Sequence, residues 1–344
     1  KQFASAMGGS RPSDAPPEGA HKQSGSAMGS SRPLDAPAAG ARDIALPDFG
    51  TAIAPHTLER LVVSWLDEDV PTLDIGGHVV GDTELTATLY CKAASGKCVL
   101  CGQPFFDAVF KYLNCRVEWD TFAKEGEVID ATCGKLACAT VTGPARNLLL
   151  GERTALNVLS RTSGIATRVR GAVNACQQKG WKGMVAGTRK TTPGFRLCEK
   201  YACIVAGAAS HRDNLSSMVM LKDNHVWATG SITMAVERAK RFTGFTTKIE
   251  VETDSLESAR EAASAGAEVV MLDSFKAEDL HKTAAVLKQE FPHIIVEASG
   301  GIEEGNIVDF IGPDIDVVSK SWMQSYDVID FSLKINTPKR QRCT

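Results

Sequence analysis

The sequence predicts an α/β protein in two parts, an α+β block followed by β/α units that build a parallel sheet or barrel. Three observations carry this. Short β-rich runs recur after Trp181, at 184–186, 218–221, 247–251, 269–272, 294–296 and 315–318. Helical stretches separate several of them, at 235–241, at 256–265 with Gly266 as a stop, and at 277–291 with Pro292 beyond it. Alternation at this spacing favours parallel pairing. Before Trp181 the rhythm is different, with amphipathic helices and alternating strands in no regular order. A length of 344 residues with 43% apolar composition suffices for two domains and a sizeable core.

Residues 1–50 are rich in Gly, Ala, Ser and Pro and contain a duplication, the run from Ser5-Ala6-Met7-Gly8 recurring from Ser26-Ala27-Met28-Gly29. Such a stretch buries too little to offset its ordering entropy and reads as a disordered tail. Globular sequence begins near Pro55. Leu58, Leu61, Val62, Trp65 and Leu66 fall on one helical face. Residues 83–93 alternate like a strand, 104–113 form a helix carrying Phe105, Phe106, Val109 and Phe110 inward, and 117–141 offer further strands. From Asn147 to Gly180 the pattern is helical, with an interruption expected at Ser163-Gly164, and Arg153 and Asn157 share one face.

Charge is nearly balanced, 38 Lys+Arg against 41 Asp+Glu, so no global field argues for nucleic acid or a membrane surface. No apolar run is long enough to span a bilayer, and a soluble, cytoplasmic protein is expected. The 10 cysteines are scattered, which suits a reducing compartment. Cys91, Cys98, Cys101 and Cys115 contain a single C-x-x-C where structural zinc usually shows two close pairs, so they read as small buried hydrophobes.

Polar groups cluster after the β-rich runs: Thr188-Arg189-Lys190, Lys222-Asp223-Asn224-His225, Glu252, Asp273 and Ser299-Gly300-Gly301. In a β/α barrel the carboxyl ends of the strands converge, so groups far apart in sequence meet there. The run 248–252 adds a parity argument. Ile249 and Val251 pack outward while Lys248, Glu250 and Glu252 point into the barrel, where unpaired charge is costly. Arg189, Lys190, His211, Arg212 and Lys222 suit a small polyanion. Glu252 and Asp273 suit Mg²⁺ held with several of its waters, and Ser299-Gly300-Gly301 offers open backbone N–H groups to phosphate. Taken singly, each residue reads equally well as half of a structural ion pair.

The runs 151–157, 163–166, 187–196, 209–212 (Ala-Ser-His-Arg), 222–225 (Lys-Asp-Asn-His), 250–252, 271–273 and 297–302 (Glu-Ala-Ser-Gly-Gly-Ile) resemble quinolinate phosphoribosyltransferase, in wording close to its animal form. The resemblance covers nearly everything from Pro55 onward. It implies an N-terminal open sandwich domain over 55–157, a seven-stranded, incomplete TIM-like barrel over 158–324, and a C-terminal segment, 325–344, returning to the sandwich. It implies transfer of phosphoribosyl from phosphoribosyl pyrophosphate to quinolinate with loss of CO₂, dependent on Mg²⁺, in NAD biosynthesis. The assembly implied is a homodimer, or a hexamer as a trimer of dimers.

Position by position, the resemblance gives Arg153 the role of reaching quinolinate across the dimer and makes Arg189, His211 and Arg212 further carboxylate contacts. Lys190 and Lys222 lie beside substrate and phosphates, Glu252 and Asp273 near the ribose and Mg²⁺, and Ser299, Gly300 and Gly301 bind phosphate. Lys190, Lys222, Glu252 and Asp273 are the implied catalytic set. One departure stands out: family members carry glycine where this chain has Ser321, within Lys320-Ser321-Trp322. A catalytically weakened, ligand-binding member is therefore the alternative.

Overall fold

The computed structural model describes residues 48–92, 96–325 and 327–336, so the tail expected over 1–50 lies almost wholly outside the described residues. Helix α1 (Pro55–Asp69) starts on a proline, whose missing N–H is no loss in a first turn, and buries Val62 and Leu66. Helix α2 (Ile75–Val80) is capped by Asp74, which accepts from the Gly77 N–H at 2.8 Å. Strand β1 (Glu84–Lys92) buries Ala87, Leu89 and Cys91 in alternation. Then come β2 (Lys97–Val99), α3 (Gln103–Tyr112) with its four phenylalanine and valine anchors inward, β3 (Arg116–Trp119), β4 (Val128–Asp130) and β5 (Lys135–Pro144). β1, β5 and β3 pair antiparallel in that order, and β2 pairs with β4.

Helix α4 (Ala145–Gln177) runs unbroken through 33 residues, so the interruption expected at Ser163-Gly164 does not occur. The small residues serve packing instead. Ser163 Oγ accepts from the Cys101 N–H and donates to the Cys101 carbonyl, both at 3.0 Å, and Thr162 Oγ1 donates to the same carbonyl at 2.5 Å. Leu148, Leu156 and Leu159 of α4 join the core under the antiparallel sheet, while Ile165, Ala166 and Val169 join the core of the second part. One helix thus belongs to both cores, and residues 157 and 158 fall in its middle.

Beyond it follow β6 (Met184–Ala186), α5 (Arg196–Val205), β7 (Val219–Leu221), α6 (Asp223–Thr229), α7 (Ile232–Thr243), β8 (Ile249–Thr253), α8 (Leu256–Ala265), β9 (Val269–Asp273), α9 (Ala277–Glu290), β10 (Ile295–Ser299) and β11 (Val317–Ser319). All six strands pair in parallel, in the order β6-β11-β10-β9-β8-β7. The seventh position of the expected barrel is reduced to one parallel bridge, Ala186 to Ala209. The backbone turns left-handed on both sides of it, with φ of +91° at Gly207 and +58° at His211, which prevents a longer extended run. Finally β12 (Asp330–Ile335) pairs antiparallel with the outer edge of β1.

Candidate active site

Each charged group singled out after a β-rich run sits at a carboxyl end of this parallel sheet. After β6, the turn is pinned from below by Gln324, which follows β11 in a short 3-10 turn. Gln324 Oε1 accepts from the Thr188 N–H (2.9 Å) and Oγ1 (3.0 Å), and its Nε2 donates to the Thr188 carbonyl (3.3 Å). The turn folds on itself as Lys190 N–H donates to Thr188 Oγ1 at 3.0 Å. Lys190 is exposed, while Arg189 is half-buried with a buried Nε that has no hydrogen-bond partner among the described residues. Buried guanidinium nitrogens ordinarily meet an acceptor, which makes Arg189 a candidate ligand contact.

The segment 209–212 is held by Lys200, which projects from α5 and is 3% exposed. Its ammonium donates to the Ser210 carbonyl and, at 2.8 Å, to that of Arg212, so it grips the chain on both sides of His211. Burial lowers its pKa. The Arg212 guanidinium is likewise pushed down, first by burial and then by the like charge of Arg189. Two cations that oppose each other's charge suit a dianion.

At the end of β7, Lys222 forms an ion pair with Glu252 on the neighbouring β8. The strand begins at Ile249, two residues later than expected, and the parity holds for two of the three charges. Glu250 is fully buried and Glu252 half-buried, but Lys248 precedes the strand and is exposed, so the expectation that it points inward is corrected. Glu250 meets His211 Nε2 at 3.9 Å and Glu297 of β10 lies beside it. Burial, and then Glu297, push the Glu250 carboxyl up to about 9, which keeps it protonated at neutral pH.

Asp273 and Ser299 are register partners on β9 and β10. Asp273 accepts from Ser274 Oγ at 2.9 Å, and the Ser274 N–H donates to the Ser299 carbonyl at 3.0 Å. Gly300 and Gly301 both have positive φ, +74° and +64°. Space around Gly301 is open, with nothing within 4 Å of an added Cβ. Ser319 ends β11 and Ser321 opens the 3-10 turn, while the Trp322 side chain lies outside the described residues.

Arg153 is not drawn into this set. It is exposed on α4 beside Asn157 and makes no hydrogen bond or ion pair among the described residues. An open cleft of about 870 Å³, lined by residues including Trp181, Met184 and Asp316, lies at the opposite end of the barrel strands, away from the charged groups. Cys91, Cys98, Cys101 and Cys115 are buried free thiols, with Cys91 and Cys98 sulfurs 3.9 Å apart. No described helix is long and apolar enough to cross a membrane.

Sequence reasoning missed Lys200, Gln324, Ser274 and the part played by Glu297. Glu297 carried a usable signal, a lone acid in the apolar run Ile295-Val296-Glu297-Ala298 with the parity of Ser299. Lys200 and Gln324 carried none, since their role comes from backbone carbonyls and N–H groups distant in sequence.

The N-terminal domain of quinolinate phosphoribosyl transferase matches residues 69–163 and its C-terminal domain matches 165–334. The human nicotinate-nucleotide pyrophosphorylase [carboxylating] is 52% identical over 284 residues, covering 82% of this chain and 93% of the human protein. The rat protein of the same name is 49% identical, covering 82% of this chain and 92% of its own. The crystal structure of NadC from Streptococcus pyogenes superposes with a TM-score of 0.74 at 33% identity, covering 83% of this chain and 99% of that one. Both domain models match in order, and the relatives are matched over nearly their whole length; the chain belongs to the quinolinate phosphoribosyltransferase family.

Proposed function

We propose that the barrel mouth transfers phosphoribosyl from phosphoribosyl pyrophosphate to the ring nitrogen of quinolinate, releasing pyrophosphate and CO₂ and leaving nicotinate mononucleotide. The observation that carries this reading is Arg189, whose buried Nε makes no hydrogen bond among the described residues, together with Arg212, whose guanidinium feels the like charge of Arg189. They suit the two adjacent carboxylates of one ring better than a monoanion such as nicotinate. The names of the close relatives support the transferase over the weakened alternative raised by Ser321.

Holding both carboxylates aims the pyridine nitrogen at the ribose carbon, which supplies orientation. As pyrophosphate leaves, positive charge develops on the ribose, and Glu252 and Asp273 stabilise it. Lys190 and Lys222 offset the charge on the phosphates. Ser299, Gly300 and Gly301 offer donors to the 5′-phosphate, with Ser321, just past the neighbouring strand β11, as a further hydroxyl. N-alkylation makes the ring cationic, so it accepts the electron pair released as the neighbouring carboxylate leaves as CO₂; a proton then takes its place.

Glu252 and Asp273 are carboxylates at the ends of adjacent strands, hard oxygen donors of the kind Mg²⁺ prefers. Glu252 and Asp273 would hold Mg²⁺ there, whose charge would offset that of the leaving pyrophosphate. Arg153 is assigned to the acceptor site of a partner subunit in a homodimer, consistent with its exposure on α4. Buried free thiols support a reducing, cytoplasmic setting.

The test is CO₂ release from carboxyl-labelled quinolinate, with phosphoribosyl pyrophosphate and Mg²⁺ each omitted in turn. Release is expected only with all three present, and nicotinate is expected to be a poor acceptor. A folded sample that releases no CO₂ refutes the reading. Mixed dimers of Arg153→Ala and Lys190→Ala chains should recover part of the activity, since one site then has both residues intact; no recovery in verified mixed dimers refutes the shared site.

A further inference from the structure

The two stretches that carry Arg189 and Arg212 leave the sheet together and then part. They are stitched at the shortened seventh position, where the Gly187 N–H donates to the Ala209 carbonyl at 2.9 Å and the Ala209 N–H to that of Val185 at 2.8 Å. Beyond it, no backbone hydrogen bond joins 188–195 to 210–217 among the described residues. Whatever spaces these stretches therefore spaces the two guanidinium groups. Three side chains at the start of α5 reach across the gap: Arg196, Glu199 and Lys200.

Arg196 holds both stretches by itself. Its Nε donates to Thr191 Oγ1 at 3.0 Å and its Nη1 to the Asp213 carbonyl at 3.1 Å. Thr191 in turn closes on Arg189, whose carbonyl accepts from its N–H at 2.9 Å and from its hydroxyl at 3.4 Å, and Asp213 is the peptide neighbour of Arg212. A guanidinium is planar with its donors in a fixed fork, so two acceptors on one fork are held at a set separation. The next turn repeats the pattern with consecutive residues. Glu199, 1% exposed, accepts from the Thr192 N–H at 3.1 and 3.3 Å, while Lys200 holds the Ser210 and Arg212 carbonyls. Helix α5 is itself fixed, with Cys198, Ala202 and Cys203 in the core and the Tyr201 ring edge-on to Phe105 of α3 at 5.2 Å.

We propose that Arg196 is a positioning residue that sets the spacing of Arg189 and Arg212, and so selects carboxylates on adjacent ring atoms over carboxylates set farther apart. This rests on the transferase reading and leaves Arg189, His211 and Arg212 as the groups that meet the acceptor. The fork explains why arginine stands at 196. A lysine there would carry the same charge at one atom on a flexible stem, able to hold either stretch without fixing their separation. The Lys222–Glu252 pair and the Gly300 turn are bonded to neither stretch among the described residues, so binding of phosphoribosyl pyrophosphate stands apart from this device.

The experiment uses the full chain and two probes that lack the reacting nitrogen, benzene-1,2-dicarboxylate and benzene-1,3-dicarboxylate, with affinities read by calorimetry and no turnover needed. Wild-type CO₂ release is measured alongside. Its absence would sink the transferase reading, while the ratio of the two affinities still tests the spacing. Wild type is expected to prefer the 1,2 isomer by about tenfold or more, and no preference overturns the proposal. Arg196→Lys is expected to weaken the 1,2 isomer about tenfold, the size of one charge-assisted hydrogen bond, and to leave the 1,3 isomer within about twofold. In turnover, KM for quinolinate should rise by the same factor, with KM for phosphoribosyl pyrophosphate within about twofold of wild type.

Thr191→Val keeps the shape of the turn and removes the acceptor of the Arg196 Nε. It should reduce the isomer preference in the same direction, and it keeps the test decisive if Arg196→Lys does not fold. Combined with Arg196→Lys it should lose less than the product of the two single fold-changes, because both break one tie. A merely structural Arg196 would lower the folded fraction without changing which isomer fits. Equal weakening of both isomers, an unchanged preference in the folded variants, or an equal rise of both KM values therefore overturns the proposal.

Discussion

Gly300 and Gly301 make a controlled comparison, because both need a left-handed backbone and only one is crowded. Their φ values are +74° and +64°. Alanine in that conformation costs about 1 kcal/mol at either position. A Cβ on Gly301 meets nothing within 4 Å, whereas on Gly300 it falls 2.5 Å from both the N and Oγ of Ser274 and 2.8 Å from its Cα. Backbone is among those atoms, and it cannot swing aside. Ser274 N–H is bonded to the Ser299 carbonyl, and Ser274 has a φ of +62° itself. Overpacking of this kind adds about 1–3 kcal/mol. Gly300→Ala should therefore lose about 2–4 kcal/mol and Gly301→Ala about 1 kcal/mol. In thermal denaturation the two midpoints should separate by roughly 3–10 °C.

Function should divide differently. Displacing Ser274 removes the hydroxyl that donates to Asp273 at 2.9 Å, so Gly300→Ala should also raise the Mg²⁺ concentration needed for half-maximal rate. Gly301→Ala leaves that carboxylate in place, and any loss of rate there reports a methyl group in the path of the phosphate. A Gly301→Ala protein as destabilised as Gly300→Ala, or more so, would refute the steric reasoning.

Three further outcomes follow from the same side chains. Lys200→Met keeps most of the volume but leaves the Ser210 and Arg212 carbonyls without their donor, so it should lower stability by about 2–3 kcal/mol in urea denaturation and raise KM for quinolinate more than for phosphoribosyl pyrophosphate. Gln324→Ala strips the acceptor from the Thr188 N–H and hydroxyl, and amide exchange at Thr188 should accelerate, with stability down by about 1–3 kcal/mol. For Glu250 the sign runs with the proton. Its folded pKa, raised to about 9 from 4.5, means that the fold holds a proton that the unfolded chain releases. Its contribution is fully present below the unfolded pKa and is lost as pH rises through the window from 4.5 to about 9. Glu250→Gln, neutral throughout, should gain stability relative to wild type on going from pH 5 to pH 8, and a constant difference across that range would contradict the protonated form.

How far the sequence exposed this fold depended on whether a feature was local or shared. The β/α alternation was legible because each unit carries its own periodicity and stop signals, as at Gly266 and Pro292. Ser163-Gly164 misled because small residues weaken a helix in isolation, while here the backbone of Cys101 comes close enough to α4 for three hydrogen bonds, two to its carbonyl and one from its N–H. The shortened seventh strand was also hidden. Nothing in Ala209-Ser210-His211 announces positive φ at a histidine, which is set by Lys200 and Glu297 from other elements.

The site divides along the same line. Groups that meet ligand occur as loud local motifs, Thr188-Arg189-Lys190 and Ser299-Gly300-Gly301, since several polar atoms must converge on one small molecule. The groups that hold those motifs still are single residues, Gln324 under the first and Ser274 beside the second, each identified by one partner far away or one close approach. Glu297 lies between the two kinds. A charged residue on the inward face of a buried strand must find partners, so its presence implied a second layer before any partner could be named. The same parity argument that singled out Glu250 and Glu252 on β8 applies one strand pair away on β10, where Glu297 and Ser299 alternate with Val296 and Ala298. Inward acids on β8 and β10 thus face one interior, and His211 closes it from the shortened seventh position.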